Sequence, residues 1–149
     1  MRPSCPGQAV RGKEREMTCV SGPLTLTQLL EEVPEIVKLL QSSGIEQLVI
    51  EYGWGCKLEP ERLWQDIEVR ALDLVTFIQD SIDKGIYPAG QADLVLRDRD
   101  GHFELLFCRD SDIHLMTEDD VILADATKRW MDKGYGGFKL AAHEDWEPI

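Results

Sequence analysis

Apolar and polar residues alternate along residues 92–107, and this pattern predicts a β-hairpin. Leu94 and Leu96 precede an Asp100-Gly101 turn, and three apolar side chains follow it at every second position: Phe103, Leu105 and Phe107. Asp-Gly is favoured in tight hairpin turns because such turns need a positive φ angle. A two-residue or a four-residue loop about this dipeptide places all five apolar side chains on one face of the sheet.

Three segments have the spacing of amphipathic helices. The first follows a capping box formed by Thr25 and Gln28 and ends near Gly44, and at Pro34 we expect either a kink or a division into two short collinear helices. The second is predicted as a single long helix over residues 60–84, because apolar side chains recur there every three or four residues. The third begins after Thr117, which can cap it, and is rich in acidic residues in its first turn.

The remaining apolar runs predict strands over residues 45–52 and 113–116, with a weaker signal over residues 138–140. Together with the hairpin they give the element order α-β-α-β-β-(β)-α. Strands with one apolar face are typical of an antiparallel or mixed sheet that is covered by helices on one side. The predicted fold class is therefore α+β, with a small sheet of three to four strands covered by helices.

The ends of the chain differ from its middle in composition. Residues 1–22 are rich in arginine, glycine, proline and serine and have little apolar surface to bury, so we expect a disordered tail there. Met17 is an alternative translation start. Residues 23–140 are expected to form one globular domain, since a chain of 149 residues suits one domain, and residues 141–149 are expected to fray.

The net charge of −12 limits the classes of partner. An acidic protein repels phosphate backbones, so we expect no nucleic-acid partner. The charge serves solubility or attracts a basic protein. No apolar run is long enough for a membrane span or a signal peptide, and the four cysteines form no CxxC pair, so the expected location is the reducing cytoplasm.

The sharpest short motif is Gly53-Trp54-Gly55-Cys56, which precedes a predicted helix. It resembles the catalytic-cysteine segment of the autophagy-related and ubiquitin-fold-modifier cysteine proteases, in which such a run opens a helix. The resemblance implies a nucleophilic thiol at Cys56, because backbone N–H groups at a helix start lower a thiol's pKa. The chain lacks that family's Asp-Pro-His motif, so His114 or His102 would have to act as the base.

Acidic residues cluster around the third strand and the last helix, and two histidines are near in sequence. Carboxylates and imidazoles from this region could hold a metal only if different elements converged, whereas helix capping and a solvated surface explain the same residues. We therefore predict no metal and no cofactor. The residues concerned are Asp110, Asp112, Glu118, Asp119, Asp120, His102 and His114.

The aromatic residues allow two interpretations, since aromatics are frequent both in cores and at the centres of protein interfaces. Because no catalytic set converges in the sequence, we favour a non-enzymatic protein-binding or regulatory module that neutralises a basic partner. The alternative is a small cysteine hydrolase that uses Cys56. The candidate binding residues are Trp54, Trp64, Asp119, Asp120 and Tyr135.

Overall fold

In the described part of the chain, three α-helices pack on one face of a seven-stranded antiparallel sheet. The structure is a computed structural model that describes residues 17–136 and 138–141. The strands run across the sheet in the order β3-β2-β4-β5-β6-β1-β7. None of the described helices is long and apolar enough to cross a membrane. In chain order the elements are β1 Met17–Val20, α1 Leu26–Ser42, β2 Gln47–Tyr52, β3 Ile67–Arg70, α2 Leu74–Asp83, β4 Leu94–Arg97, β5 Phe103–Phe107, β6 Ile113–Thr117, α3 Asp120–Asp132 and β7 Phe138–Ala141.

The predicted α+β class is confirmed, but the sheet is larger than the three to four strands expected. The hairpin of β4 and β5 has the predicted register, in which Leu96 lies opposite Leu105 and Leu94 opposite Phe107. Gly101 in its turn has a φ of 74°, as an Asp-Gly turn requires. The undercount comes from β1 and β3, which lie in segments expected to be a tail and a helix, and from β7, whose weak strand signal is not part of the predicted element order.

The expected long helix over residues 60–84 is wrong in its first half. Residues 60–62 form only a 3-10 turn, and Trp64 has a φ of 63°, which no α-helix tolerates. Ile67 and Val69 alternate with charged residues, and the strand that they form pairs with Ile50 and Leu48 of β2. Pairing with β2 satisfies the backbone of this segment, so tertiary structure overrides the helical spacing.

The expectation of a disordered tail over residues 1–22 is wrong for β1. This strand lies between β6 and β7, and Cys19 opposite Leu115 is fully buried. Two partner strands satisfy both backbone edges of β1, which explains order in so short a segment. The rest of the expected tail before Met17, and the expected fraying over residues 142–149, lie outside the described residues.

Helix α1 begins and continues as its sequence predicts. The Gln28 N–H donates to Thr25 Oγ1 at 3.1 Å, and the Thr25 N–H donates to Gln28 Oε1 at 2.9 Å, which completes the capping box. Pro34 lies inside the helix without ending it. The apolar side of α1, which includes Val33 and Ile36, packs into the main core with α2, α3 and one face of the sheet.

The second face of the sheet has a different cover. Val95, Leu106 and Cys108 form a small buried cluster there, and Trp64 packs against it from the loop before β3. None of the described helices covers this face, because α1, α2 and α3 all pack into the other core. Among the described elements, side chains from the loops at the ends of the strands therefore cover the second face.

Candidate functional site

The glycines of the Gly53-Trp54-Gly55-Cys56 loop have a packing role. A Cβ on Gly53 would collide with the Trp64 ring. Gly55 has a φ of +93°, and a Cβ there would lie 2.6 Å from the Gln91 carbonyl oxygen. Close backbone approach and a positive φ both require glycine, so the architecture of the loop alone explains the pattern.

The environment of Cys56 opposes ionisation of its thiol. The residue is 7% exposed, and its Sγ donates to the Asp93 carbonyl oxygen at 3.6 Å. Burial raises the pKa of the Cys56 thiol to about 11; a backbone hydrogen bond from Gly53 acts in the opposite direction, and the Asp93 charge adds to the rise. No α-helix begins at Cys56, since α2 starts only at Leu74. At neutral pH this thiol is protonated.

The structure brings neither candidate base to Cys56. Leu94 lies beside both Tyr52 and Phe107, so the loop after β2 lies at the Phe107 end of β5, whereas His102 precedes the opposite end of that strand. His114 lies on the second face of the sheet, where its ring contacts Asp112. Among the described residues no hydrogen bond joins Cys56 to an imidazole.

We therefore predict that Cys56 alkylates slowly. At pH 7 the native thiol should react with iodoacetamide at least tenfold more slowly than cysteine in a short unstructured peptide, because its thiolate fraction is reduced by burial. Site-resolved mass spectrometry measures the rate, and the urea-unfolded chain is the control that should label at the peptide's rate. Native labelling as fast as the peptide's would contradict this assignment and restore Cys56 as a nucleophile.

The other predicted binding residues do not converge on one surface. Trp54 is 45% exposed and meets Trp64 edge to face, with ring centroids 5.7 Å apart. Asp119 caps α3 by accepting from two N–H groups of its first turn, and Asp120 is the first residue of that helix. Tyr135 is buried beyond the far end of the same helix. These five residues therefore form a tryptophan pair, a helix cap and a core aromatic.

The acidic residues around β6 lie in two separate groups, one at each end of that strand. Asp112 Oδ1 accepts a hydrogen bond from His114 Nε2 at 3.1 Å. Partial burial acts to raise the pKa of Asp112, but hydrogen bonds from His114 and Cys108 and the attraction of the imidazole outweigh it and lower that pKa. Glu118 and the first residues of α3 lie at the opposite end of β6.

A groove between β3 and α2 is the feature that the sequence analysis missed. It has a volume of about 590 Å³ and lies along the edge strand of the sheet. No sequence pattern points to it, because the apolar spacing over residues 60–84 predicts one continuous helix where the structure has the two walls of the groove. Its lining residues are Gln47, Glu68, Val69, Arg70, Asp73, Thr76, Phe77 and Asp80.

The groove combines an apolar floor with acidic walls. The half-buried Phe77 stacks on Tyr52 with ring centroids 5.8 Å apart, which fixes the position of its ring. Three carboxylates and one guanidinium line the groove. Arg70 pairs with Asp73 at 3.0 Å, and Lys84 pairs with Asp80 at 3.0 Å. Such exposed pairs hold their partners weakly, so an incoming cation can replace them.

Comparisons of the chain with models of protein families, with curated proteins and with solved structures found no match.

Proposed function

We propose that the protein is a non-enzymatic binding module that takes an extended, basic segment of a partner protein into the groove between β3 and α2. The observation that carries the proposal is a strand edge, unpaired among the described strands, that lies beside an acidic groove with an aromatic floor. Addition of a peptide strand to a sheet edge beside a helix is a common mode of peptide recognition. Neutralisation of a basic partner follows directly from occupancy of such a groove.

The backbone of β3 supports the proposal first. Its inner edge pairs with β2 over Ile67–Arg70, and its outer edge pairs with no described strand. In an antiparallel strand alternate residues direct their N–H and C=O groups to opposite edges, so part of the β3 backbone points outward. An incoming strand supplies partners for those groups and gains affinity that does not depend on its sequence.

The side chains support a basic occupant. Asp73 and Asp80 stand along α2 and line the groove with the guanidinium of Arg70, whereas the carboxylate of Glu68 on β3 pairs with Arg99. Lysine or arginine side chains at alternate positions of the incoming strand face α2, where their aliphatic stems pack on Phe77 and their charged ends reach Asp73 and Asp80. The net charge of −12 adds a longer-range attraction that speeds the association of basic partners.

Two exposed apolar residues lie near the start of α2. Leu72 is 65% exposed and Val75 is 43% exposed, and both lie at the start of α2. Scattered exposed apolar side chains are ordinary, and these two give further area to bury only to a bound segment that extends past β3 to the start of α2. We expect a segment longer than β3 itself to bind better than one that only matches its four residues.

The test uses synthetic peptides of alternating lysine and valine, about eight residues long, as a typical strand. We expect the lysine-valine peptide to bind the full chain, and a glutamate-valine peptide of the same length not to bind, as measured by fluorescence anisotropy. N-methylation of alternate residues on one edge of the lysine-valine peptide should abolish binding, and N-methylation on the other edge should leave it intact. Equal binding of both N-methylated peptides would exclude strand addition.

A matched pair of variants locates the binding. Asp80 and Asp83 are both exposed on α2, and each has a side-chain partner four residues away, but only Asp80 lines the groove. Asp80→Lys should weaken lysine-valine binding at least fivefold, whereas Asp83→Lys makes the same charge change and should weaken it less than twofold. Equal losses would show that only the net charge attracts the peptide and would contradict a site in the groove.

A further inference from the structure

The turn between β5 and β6 brings a thiol, a carboxylate and an imidazole together on the second face of the sheet. One ligand atom from each of Cys108, Asp112 and His114 lies within 4.8 Å of the other two. We propose that this turn binds a Zn²⁺ ion through these three side chains. The proposal is independent of the groove, since β3 and α2 contribute no residue to it.

The backbone holds the three residues in place. The Cys108 N–H donates to the Asp112 carbonyl oxygen at 2.9 Å, and the Ser111 N–H donates to the Cys108 carbonyl oxygen at 2.9 Å. Ser111 has a φ of 72°, so the turn is tight enough to return the chain onto the same face. Because all the proposed ligands come from one turn, distant elements need not converge to form the site. The ligands are already in position before the ion binds.

The imidazole carries the observation that points to a ligand. His114 is 7% exposed, its Nε2 lies 3.1 Å from Asp112 Oδ1, and its Nδ1 is buried with no hydrogen-bond partner among the described residues. With its proton on Nδ1, the neutral ring presents the Nε2 lone pair towards Asp112, and an unprotonated ring nitrogen is the state in which histidine ligates a metal. Two acceptor atoms then face each other across 3.1 Å, and a cation bound between them takes the place of the proton of the hydrogen bond.

The donor set favours zinc over the hard cations. Thiolate and imidazole are ligands that Zn²⁺ prefers, whereas calcium and magnesium prefer oxygen alone. Zinc–sulfur bonds of about 2.3 Å and zinc–nitrogen bonds of about 2.0–2.1 Å bring ligand atoms closer together than the present upper separation, so the turn must contract slightly. On binding, the Cys108 thiol loses its proton to solvent and the sulfur gives the metal its lone pair.

The fourth position of a tetrahedral site has a candidate on the same turn. The exposed carboxylate of Asp110 accepts from Cys108 Sγ at 3.8 Å. Cys108, Asp110, Asp112 and His114 recur at every second position along the chain. With Asp110 as the fourth ligand the site has no open coordination position, which is typical of structural rather than catalytic zinc.

The first experiment titrates Co²⁺ into the reduced, metal-free full chain and records its absorption spectrum. We expect one equivalent to bind, with a thiolate-to-cobalt charge-transfer band and the visible bands of tetrahedral Co²⁺, and we expect Zn²⁺ to displace it. A wild-type spectrum without the charge-transfer band would overturn the proposal. This measurement needs no variant, so it decides the question even if a substituted protein fails to fold.

The second experiment assigns the ligands with matched variants. Cys108→Ser should abolish the charge-transfer band, and His114→Gln should weaken Zn²⁺ binding at least tenfold, with circular dichroism as the check on folding. Cys56→Ser and His102→Gln remove a thiol and an imidazole elsewhere in the fold and should leave both properties unchanged. Retention of the band in a folded Cys108→Ser protein, or its loss in Cys56→Ser, would contradict the assignment.

Discussion

Arg129→Met is expected to destabilise the protein by about 3–5 kcal/mol, because it leaves a buried carboxylate without its cation. Glu32 of α1 is fully buried, and its Oε1 accepts from Arg129 Nη2 and from Trp130 Nε1, each at 2.8 Å. Lys133 Nζ is 4.0 Å from Oε2, which is too far for a hydrogen bond. These contacts join α1 to α3 across the core. Urea unfolding measures the loss.

Two control proteins distinguish the cost of an unpaired buried carboxylate from the cost of lost side-chain packing. Glu32→Gln combined with Arg129→Met removes both charges but keeps an oxygen for Trp130, and it should recover more than half of the loss. Lys128→Met breaks an exposed pair with Asp132 on the same helix and should cost less than about 0.5 kcal/mol. A single Arg129→Met variant as stable as Lys128→Met would contradict the claim that Arg129 stabilises the buried Glu32 carboxylate.

Ile78→Asp is expected to unfold the protein at neutral pH, whereas Gln79→Asp should not. Ile78 is 2% exposed in the main core, and a carboxylate there has no cation to pair with among the residues of α2 that face inward. Burial of an unpaired charge is so unfavourable that the group takes up a proton or the fold opens. We expect a loss of at least about 3–4 kcal/mol, measured by urea unfolding.

Gln79 is the matched neighbour for that experiment, since it is exposed and lies one residue along the same helix. Its side chain donates to Asp83 at 3.1 Å, so Gln79→Asp loses that bond and adds a like charge. The cost should be a few tenths of a kcal/mol. Similar urea midpoints for the two variants would mean that α2 does not pack its Ile78 side against the sheet.

Local signals were sufficient where one short segment decides its own conformation. The capping box at Thr25 and the Asp-Gly turn of the β4–β5 hairpin were predicted from neighbouring residues and are present in the structure. Helix α3 is also present, but its N-cap is Asp119 and not the predicted Thr117, whose Oγ1 accepts from the Asp119 N–H instead. The segment over residues 67–70 was not predictable in this way. Its apolar residues fit both a helix and a strand, and the choice is made by β2, whose outer edge needs a partner.

The candidate sites were less predictable than the fold for the same reason. The groove is made by β3 and α2, and it exists only because the chain turns between them. The glycine pattern at Gly53 and Gly55 suggested chemistry, yet it reflects the close approach of Trp64 and of the Gln91 backbone. Cys108 has no CxxC partner and so belongs to no recognisable metal motif, although its spacing from Asp112 and His114 is visible in the sequence.

The most direct test of the proposed groove is amide hydrogen exchange on the full chain, measured with and without the lysine-valine peptide. The account predicts that exchange slows at outward-pointing amides of Ile67–Arg70, because they donate to the added strand, while exchange in β7 at the opposite edge of the sheet stays unchanged. Peptide binding that leaves the β3 amides unprotected, or that protects β7 instead, would contradict it.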